Sequence, residues 1–421
     1  MKVGLYGGMV NNAYTVAKVM RRNGWHVDYL IEYVADEVSH QPFWLDVYWQ
    51  MTTQDIAELQ QSPELFCKKI GWTQPEWVKT VGAASPLSFS ELRHINGFWR
   101  RLLFMFHQWR RRHKHLRQTV RALQDYDCII ACGTQPLIAA RMSGKPYIAL
   151  IHGADLRAYQ NAVPKSKRYR RRMYQNISRT VVRDAIDNAS AIICNPPFTL
   201  YSEGSSNVTG VRKSFFHGNV HEIVYPTLPA DGSTSDIQLH KDTINILIPS
   251  RVDFTWKGQD IFFQALKASK YLDKFHAYLV AWGNNQAEAV ALCQQLALND
   301  HVTFLPFLAT RPALLALYKQ FDLVVDDFRF GSYGTAVLEA LSCEKPVLAY
   351  VDERPFSSPQ HIPPIIRAHN ESDICQVLED IAEGRIDLKE IGRQSAIWQQ
   401  NAAGDAAFMN NMRCVFKSIG L

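Results

Sequence analysis

The feature that most constrains this chain is the repeated alternation of short apolar strand patterns with helical patterns. The predicted strands cover Lys2–Tyr6, His26–Leu30, Cys128–Ala131, Tyr147–Ile151 and Ala191–Cys194, and then Ile244–Pro249, Phe275–Val280, Val302–Leu305, Asp322–Val325 and Pro346–Tyr350. Strands that alternate with helices along a chain form parallel sheets with helices on both faces. The pattern therefore predicts an α/β protein of the doubly wound type.

A polar stretch divides this alternation into two halves. Residues 225–242 are rich in Pro, Gly, Ser and Thr and show neither a strand nor a helix period. A chain of 421 residues also exceeds what one hydrophobic core usually supports, so two domains are expected. We predict a Rossmann-like domain at 1–225, a linker at 226–243, a second Rossmann-like domain at 244–390, and a helical segment at 391–421 that crosses back to the first domain.

Two cations follow the first strand of the second half. The strand Ile244–Pro249 leads into a loop that carries Arg251 and Lys257, and a helical pattern begins at Gln259. An Arg fork and a Lys point charge can bind one diphosphate and stabilise a departing nucleoside diphosphate without a metal. Two solvated surface cations are the alternative interpretation of such a pair.

The second element of this half is a strand, a glycine-containing loop and a helix. The strand Asp322–Val325 leads to Gly334 and Thr335, where the helix begins, and Glu339 lies about one turn into it. Unpaired backbone N–H groups in a first helical turn bind phosphate or sugar oxygens. The Glu339 carboxylate can accept hydrogen bonds from ribose hydroxyls, although an acid near a helix start also stabilises the helix by itself. Because both elements follow strands of one domain, we predict that they form one nucleotide-sugar site.

The order and spacing of these residues resemble the retaining GT-B glycosyltransferases of family 4. The second domain of that family carries an Arg…Lys-Gly element and, after a Gly-rich loop, a Glu-containing helix like the run Gly334–Tyr350 here. The resemblance implies that Arg251 and Lys257 contact the diphosphate and that Glu339 contacts the ribose. It places the donor sugar against the loop Gly331–Thr335. It also implies the GT-B fold, in which two doubly wound Rossmann-like domains face an interdomain cleft.

The chain departs from the family at one position of this site. The family usually has a Glu eight residues before the helix Glu, and Gly331 stands there in this sequence. We predict that Asp327, at the end of the preceding strand, is the substitute for this acid. The alternative is that Asp326 and Asp327 cap the loop through side-chain to backbone hydrogen bonds.

The first half contributes two candidate elements at strand ends. Gly7 and Gly8 permit a tight turn after the first strand, and the resemblance places this loop against the donor phosphates and the acceptor; a plain Rossmann turn is the alternative. The strand Tyr147–Ile151 ends in His152, and Asp155 follows three residues later. In a retaining reaction His152 can orient the transferred sugar while Asp155 fixes the imidazole or holds the acceptor. In an inverting reaction Asp155 is also suited to act as the base.

Several features favour a cytoplasmic protein. The eight cysteines include no Cys-x-x-Cys pair, and the first residues read as a strand rather than a signal peptide. No apolar stretch reaches the roughly 20 residues that span a bilayer.

The net charge of +6 is concentrated in basic runs at 98–112 and 165–172. The first run predicts an amphipathic helix that either packs on the core or lies on the anionic inner face of a membrane. No nucleic-acid partner is expected, because no known binding motif accompanies these runs.

Together these features predict a glycosyltransferase of polysaccharide biosynthesis. It would move a sugar from a nucleoside diphosphate sugar to a saccharide, glycolipid or small-molecule acceptor, with retention, without a cofactor and without a metal. Two alternatives remain open on the same fold: a nucleotide-sugar epimerase or hydrolase, and a catalytically degenerate partner protein, which Gly331 favours. The sequence carries no transferable code for the nucleotide base, the donor sugar or the acceptor.

Overall fold

The structure is a computed structural model that describes residues 1–8, 11–31, 41–81, 114–152, 180–197, 219–229, 233, 235 and 237–421. The chain forms two compact units that are interleaved in sequence. Unit 1 contains Met1–Pro42, Thr73–Ile223 and Met409–Leu421, and unit 2 contains Phe43–Trp72 and Val224–Phe408. The predicted first domain included Phe43–Trp72, which belongs to unit 2. Of the segment 391–421, for which a crossing back to the first domain was predicted, Met409–Leu421 belongs to unit 1 and the part before it belongs to unit 2.

The strands and helices alternate along most of the chain. The strands are β1 Lys2–Tyr6, β2 His26–Ile31, β3 Gln50–Met51, β4 Val78–Thr80, β5 Cys128–Cys132, β6 Tyr147–Ile151, β7 Ala191–Cys194, β8 Val220–Glu222, β9 Ile244–Ile248, β10 Phe275–Val280, β11 Val302–Leu305, β12 Leu308–Ala309, β13 Leu323–Val325, β14 Val347–Ala349 and β15 Ile366–Arg367. The helices are α1 Asn12–Arg22, α2 Phe43–Asp46, α3 Thr53–Gln61, α4 Pro63–Lys69, α5 Thr134–Ser143, α6 Gln259–Ala268, α7 Gln286–Gln295, α8 Arg311–Gln320, α9 Thr335–Ser342, α10 Glu371–Ala382, α11 Leu388–Ala403 and α12 Asp405–Ser418. Residues 114–123 and 180–187 are also helical. Within these described parts, no helix is long and apolar enough to cross a membrane.

Unit 1 is built on a parallel sheet with the strand order β4-β2-β1-β5-β6-β7-β8. Strands β5, β6 and β7 are buried along their whole length, as continuous apolar runs are when helices cover both faces of a sheet. Helix α1 buries one apolar stripe. Arg21 and Arg22 in its last turn interact favourably with the negative end of the helix dipole. The end of α12 completes this unit, where the ring of Phe416 packs 4.9 Å from that of Trp25.

Unit 2 is built on a second parallel sheet with the strand order β11-β10-β9-β13-β14-β15. One face carries a core with Phe262 and Phe263 of α6, and the other face carries a core with Tyr318 of α8 and Leu341 of α9. Each fully buried side chain of this kind contributes roughly 1.5–3 kcal/mol. The two covered faces explain why the central strands read as unbroken apolar runs.

A small antiparallel sheet joins the segment Phe43–Trp72 to the rest of unit 2. Strand β3 pairs with β12, so that Met51 lies opposite Leu308 and Gln50 opposite Ala309. Two-residue strands have no periodicity of their own, so this pairing leaves no signal in the sequence.

Candidate functional site

The carboxyl ends of β9 and β13 bring together a lysine and two aspartates in unit 2. These strands are parallel neighbours, so Ser250 after β9 lies beside Asp326 after β13, and its hydroxyl donates a hydrogen bond to that carboxylate. The ammonium Nζ of Lys257 lies 3.0 Å from Oδ1 and 3.1 Å from Oδ2 of Asp326, and 3.7 Å from Oδ2 of Asp327. The Asp326 side chain is completely buried and that of Lys257 is 20% exposed. The structure thus forms a buried ion pair at the predicted site.

The two aspartates have different partners. Asp327 Oδ1 accepts hydrogen bonds from the backbone N–H groups of Arg329 at 2.7 Å and Phe330 at 2.8 Å, which is the loop-capping arrangement. Burial raises the pKa of Asp327 to about 6, with Asp326 adding to the shift and Lys257 opposing it. Burial acts to lower the pKa of Lys257, but the charges of Asp326 and Asp327 outweigh it and raise that pKa. Asp326, rather than Asp327, is therefore the closer partner of the lysine.

Arg251 extends from a rigid loop toward solvent. Its side chain is 49% exposed, and Nη2 lies 3.5 Å from Oδ2 of Asp253. The backbone beneath it is held by the buried Gln259, whose Nε2 donates to the Arg251 carbonyl at 2.9 Å and whose Oε1 accepts from the Asp253 N–H at 3.1 Å. A fixed backbone and an exposed guanidinium suit Arg251 to bind an anionic ligand.

The N-terminus of α9 follows the same loop. Gly334 is its N-cap in an extended conformation, and among the described side chains none caps the helix and no acid lies in its first turn. Thr335 is the first helical residue. The first N–H groups of a helix attract anions, so this end offers donors to phosphate or sugar oxygens.

Glu339 of α9 has a partner that the sequence did not indicate. An Arg311 guanidinium nitrogen, Nη1, forms a salt bridge with Glu339 Oε2, and the side chains are 11% and 4% exposed. Burial raises the pKa of Glu339 to about 7, while Arg311 opposes the shift and Asp326 adds to it. The sequence signal around Arg311 is that of a helix start, with Thr310 before it and Pro312 after it, and it says nothing of the pairing.

The geometry at Gly331 explains why the family's first acid is missing. Gly331 has φ +77°, a left-handed conformation, and a Cβ built there would lie 2.9 Å from Cε1 of Tyr350. The Tyr350 ring is itself stacked on His369 with centroids 4.0 Å apart. A glutamate at this position would need a different loop conformation.

The predicted residues of unit 1 that the structure describes lie at the carboxyl ends of β1 and β6, with Gly7 and Gly8 after β1 and His152 after β6. A Cβ on Gly7, which has φ +86°, would lie 2.3 Å from the Cys132 carbonyl oxygen, and a Cβ on Gly8 would lie 2.4 Å from the Tyr29 hydroxyl. Both glycines are therefore required by close packing in the turn. The Nε2 atom of His152 lies 3.0 Å from Asn12 Nδ2, and Nδ1 lies 3.7 Å from Cys132 Sγ.

The electrostatic state of His152 limits what it can do. Burial lowers its pKa to about 4, so it is neutral at pH 7 and acts through hydrogen bonds rather than charge. Asp155 and the basic runs 98–112 and 165–172 lie outside the described residues. Within the described residues, no group of three or more His, Cys, Asp or Glu side chains is arranged to hold a metal ion.

Known proteins resemble this chain in one segment of its sequence and in its fold. Residues 233–357 match the family described as Glycosyl transferases group 1. No curated protein matches the chain in sequence. The structure of Anabaena HepE in complex with UDP matches with 14% identity and a TM-score of 0.60, over 99% of this chain and 100% of that one. Sucrose-phosphate synthase from Thermosynechococcus elongatus matches with 14% identity and a TM-score of 0.60, over 100% and 99% of the two chains. The lipopolysaccharide outer core galactosyltransferase WaaB matches with 12% identity and a TM-score of 0.54, over 99% of each chain.

At these identities the structural matches establish the fold. The chain has the GT-B fold, with one doubly wound parallel sheet in each unit, as the sequence predicted. Together with the match of residues 233–357 to the model for Glycosyl transferases group 1, this fold confirms the predicted class of enzyme, a glycosyltransferase.

Proposed function

We propose that this glycosyltransferase binds a nucleoside diphosphate sugar in unit 2 and transfers the sugar to a saccharide, glycolipid or small-molecule acceptor. The observation that carries this is the placement of Arg251, Lys257 and the N-terminus of α9 beyond the carboxyl ends of β9 and β13. All of them lie within the matched residues 233–357. Anabaena HepE, which shares the fold, has been solved with UDP, with UDP-glucose, and with UDP and glucose.

Each group of the site has a distinct role in this proposal. The exposed Arg251 binds the diphosphate from the solvent side, and the ammonium of Lys257 contacts both the diphosphate and Asp326. The N–H groups at Gly334 and Thr335 bind the sugar or the β-phosphate. Glu339 accepts a hydrogen bond from the ribose.

The chemical step that we propose is metal-free transfer with retention. As the bond between the anomeric carbon and the diphosphate oxygen breaks, the acceptor hydroxyl oxygen bonds to that carbon on the same face, and the hydroxyl proton passes to the departing diphosphate oxygen. The negative charge that grows on the leaving group is stabilised by Arg251, Lys257 and the α9 dipole. His152 is neutral at pH 7, so it would hold a hydroxyl of the transferred sugar by a hydrogen bond. Asp155 would hold the acceptor. We also propose that the cytoplasmic enzyme meets lipid-linked acceptors at the anionic inner face of the membrane.

A donor panel tests the proposed transfer. Wild type, Lys257→Ala and Glu339→Ala would each be incubated with UDP-, GDP- and ADP-sugars and with saccharide or glycolipid acceptors. Lys270→Ala is the control, because Lys270 forms exposed ion pairs with glutamates. We expect one donor class to be used and its kcat/KM to fall about 100-fold or more in the first two variants, as when a charge-stabilising group is lost. Equal activity in all four proteins would refute the site. NMR of the product anomer tests retention.

A degenerate partner protein is the second candidate, and the glycine at 331 favours it. The site has a glycine where the family has its first acid, and the ammonium of Lys257 is bound by Asp326. This candidate predicts that the protein binds a nucleotide sugar saturably, does not hydrolyse it, and transfers no sugar to any acceptor tested. Turnover that depends on Lys257 excludes it.

A further inference from the structure

The salt bridge between Arg311 and Glu339 joins two helices of unit 2. Arg311 is the first residue of α8 and Glu339 lies in the middle of α9. Both side chains are almost completely buried. A buried carboxylate beside a guanidinium is held in one orientation, because a charge without a partner is costly away from water.

The start of α8 is itself fixed by the segment Phe43–Trp72. The hydroxyl of Thr310, the N-cap of α8, accepts a hydrogen bond from the Trp49 N–H at 2.8 Å and lies 2.7 Å from the Val47 carbonyl oxygen. The Thr310 N–H donates to the Trp49 carbonyl at 3.0 Å. The position of Arg311 therefore depends on a segment far away in sequence.

We propose that Arg311 is a positioning residue that, through its salt bridge, holds the Glu339 carboxylate in the orientation that accepts the ribose hydroxyls of the donor. The inference rests on the proposed function, because it assigns a cause to the Glu339–ribose contact. Arg311 acts through Glu339 and need not touch the donor itself.

The charges around Glu339 support this role. Asp326 after β13 is the other titratable group that shifts the pKa of Glu339, and the charge of Glu339 in turn acts on Tyr318 of α8 and Cys343 at the end of α9. Asp326 repels a negative Glu339, and the tyrosine and the thiol are neutral at pH 7. Among the described residues Arg311 is thus the cation that favours the ionised form of this carboxylate, since Lys257 is bound to Asp326.

Loss of Arg311 should therefore change the pH dependence of donor binding. Burial already raises the pKa of Glu339 to about 7 in the presence of the guanidinium. Without Arg311 that pKa rises further, so at neutral pH Glu339 is protonated and accepts ribose hydroxyls poorly. Donor affinity then recovers as the pH rises and the carboxyl group ionises.

The experiment measures the Kd of UDP-glucose by calorimetry from about pH 6.5 to 8.5. GDP-mannose is the second probe for a different base. The proteins are wild type, Arg311→Lys, Arg311→Met, Glu339→Gln and the double variant Arg311→Met/Glu339→Gln. Arg393→Met is the control, because Arg393 forms an exposed ion pair with Glu390 in the same unit.

We expect Arg311→Met to raise Kd about tenfold or more at pH 7 and to approach wild type as the pH rises. Arg311→Lys should retain most of the affinity, and Glu339→Gln should bind weakly without a pH-dependent midpoint in this range. If Arg311→Met does not fold alone, the double variant removes the unpaired carboxylate, and adding Arg311→Met to Glu339→Gln should then change Kd little.

Two results would overturn the inference. If Arg311→Met loses the same donor affinity at every pH, the role of Arg311 is purely structural. If the double variant binds the donor much more weakly than Glu339→Gln, Arg311 contacts the donor itself. Failure of wild type to bind any nucleotide sugar of the donor panel would instead refute the proposed function, which distinguishes the two failures.

Discussion

At the residue scale, the buried ion pair of Lys257 and Asp326 is a local determinant of stability. Replacing Lys257 by Met would leave the completely buried Asp326 carboxylate without its cation. We expect the free energy of unfolding to fall by about 3–5 kcal/mol. The double variant with Asp326→Asn should recover at least half of the loss. Urea denaturation measures both, with Lys270→Met as a control that should cost less than about 1 kcal/mol because its ion pairs are exposed.

The glycines of the loop before α9 should differ in their tolerance of a side chain. Gly331→Ala places a Cβ 2.9 Å from the Tyr350 ring at φ +77°, and we expect a loss of at least about 1–2 kcal/mol in urea denaturation. Gly334→Ala is the matched control, because its φ is −106° and no atom lies within 4 Å of a Cβ there. Its stability should change by less than about 1 kcal/mol. Equal losses would contradict the argument from loop geometry.

The candidate site residues that sequence reasoning proposed are those that belong to a local pattern. Arg251, Lys257 and Glu339 each follow a strand end or a helix start, and the periodicity of the chain identifies those points. Arg311 could not be found, because its role arises from the packing of α8 against α9. The distinct roles of Asp326 and Asp327 also depend on which of them faces Lys257, which adjacent positions in a sequence do not reveal.

At the element scale, hydrogen bonds of Thr310 stabilise the small sheet of β3 and β12. Thr310→Val keeps the shape of the side chain but removes the hydroxyl that accepts from the Trp49 N–H and contacts the Val47 carbonyl. An unsatisfied buried group costs about 1–3 kcal/mol, so we expect a loss of that size in thermal or urea unfolding. Thr243→Val is the control, because the hydroxyl of Thr243 makes one exposed hydrogen bond of 3.3 Å. A loss no larger than that of the control would contradict the assignment.

The elements that could be predicted are those with their own apolar pattern. The predicted strands Lys2–Tyr6, Tyr147–Ile151 and Phe275–Val280 have the bounds of β1, β6 and β10. The pairing of β3 with β12 was missed, because its strands have two residues each and Trp49 lies 261 positions from Thr310. Pairing over such a distance depends on the completed fold.

At the scale of the whole molecule, buried groups of two kinds oppose each other in the pH dependence of stability. Burial raises the pKa of Glu339 to about 7 and that of Asp327 to about 6. At pH values between the ordinary carboxyl pKa and these raised values, the folded state therefore binds more protons than the unfolded state. Stability due to these groups falls as the pH rises through that window. Burial lowers the pKa of His152 and His276 to about 4, so their contribution rises with pH from about 4 to 6.5.

Removing one kind of group should reveal the other. Glu339→Gln leaves the buried Arg311 guanidinium without its partner, so we expect it to be less stable than wild type. The difference should narrow by up to roughly 3 kcal/mol as the pH rises from about 5 to 7, because the amide does not ionise. His276→Gln should change the slope in the opposite direction. Urea denaturation at the two pH values measures the difference, and parallel pH profiles for wild type and Glu339→Gln would contradict a raised pKa at Glu339.

The interleaved units make a prediction about which segments a donor stabilises together. UDP-glucose at about 100 times its Kd should stabilise the unit that binds it by roughly 2.7 kcal/mol. Amides of unit 2 that exchange through its unfolding should then exchange about 100-fold more slowly in hydrogen exchange mass spectrometry. Because Phe43–Trp72 belongs to unit 2, we expect its slow amides to gain the same protection as β9 and β13. Protection of β9 and β13 without Phe43–Trp72 would show that this segment unfolds separately from the donor-binding sheet, and that the pairing at Thr310 does not hold it there.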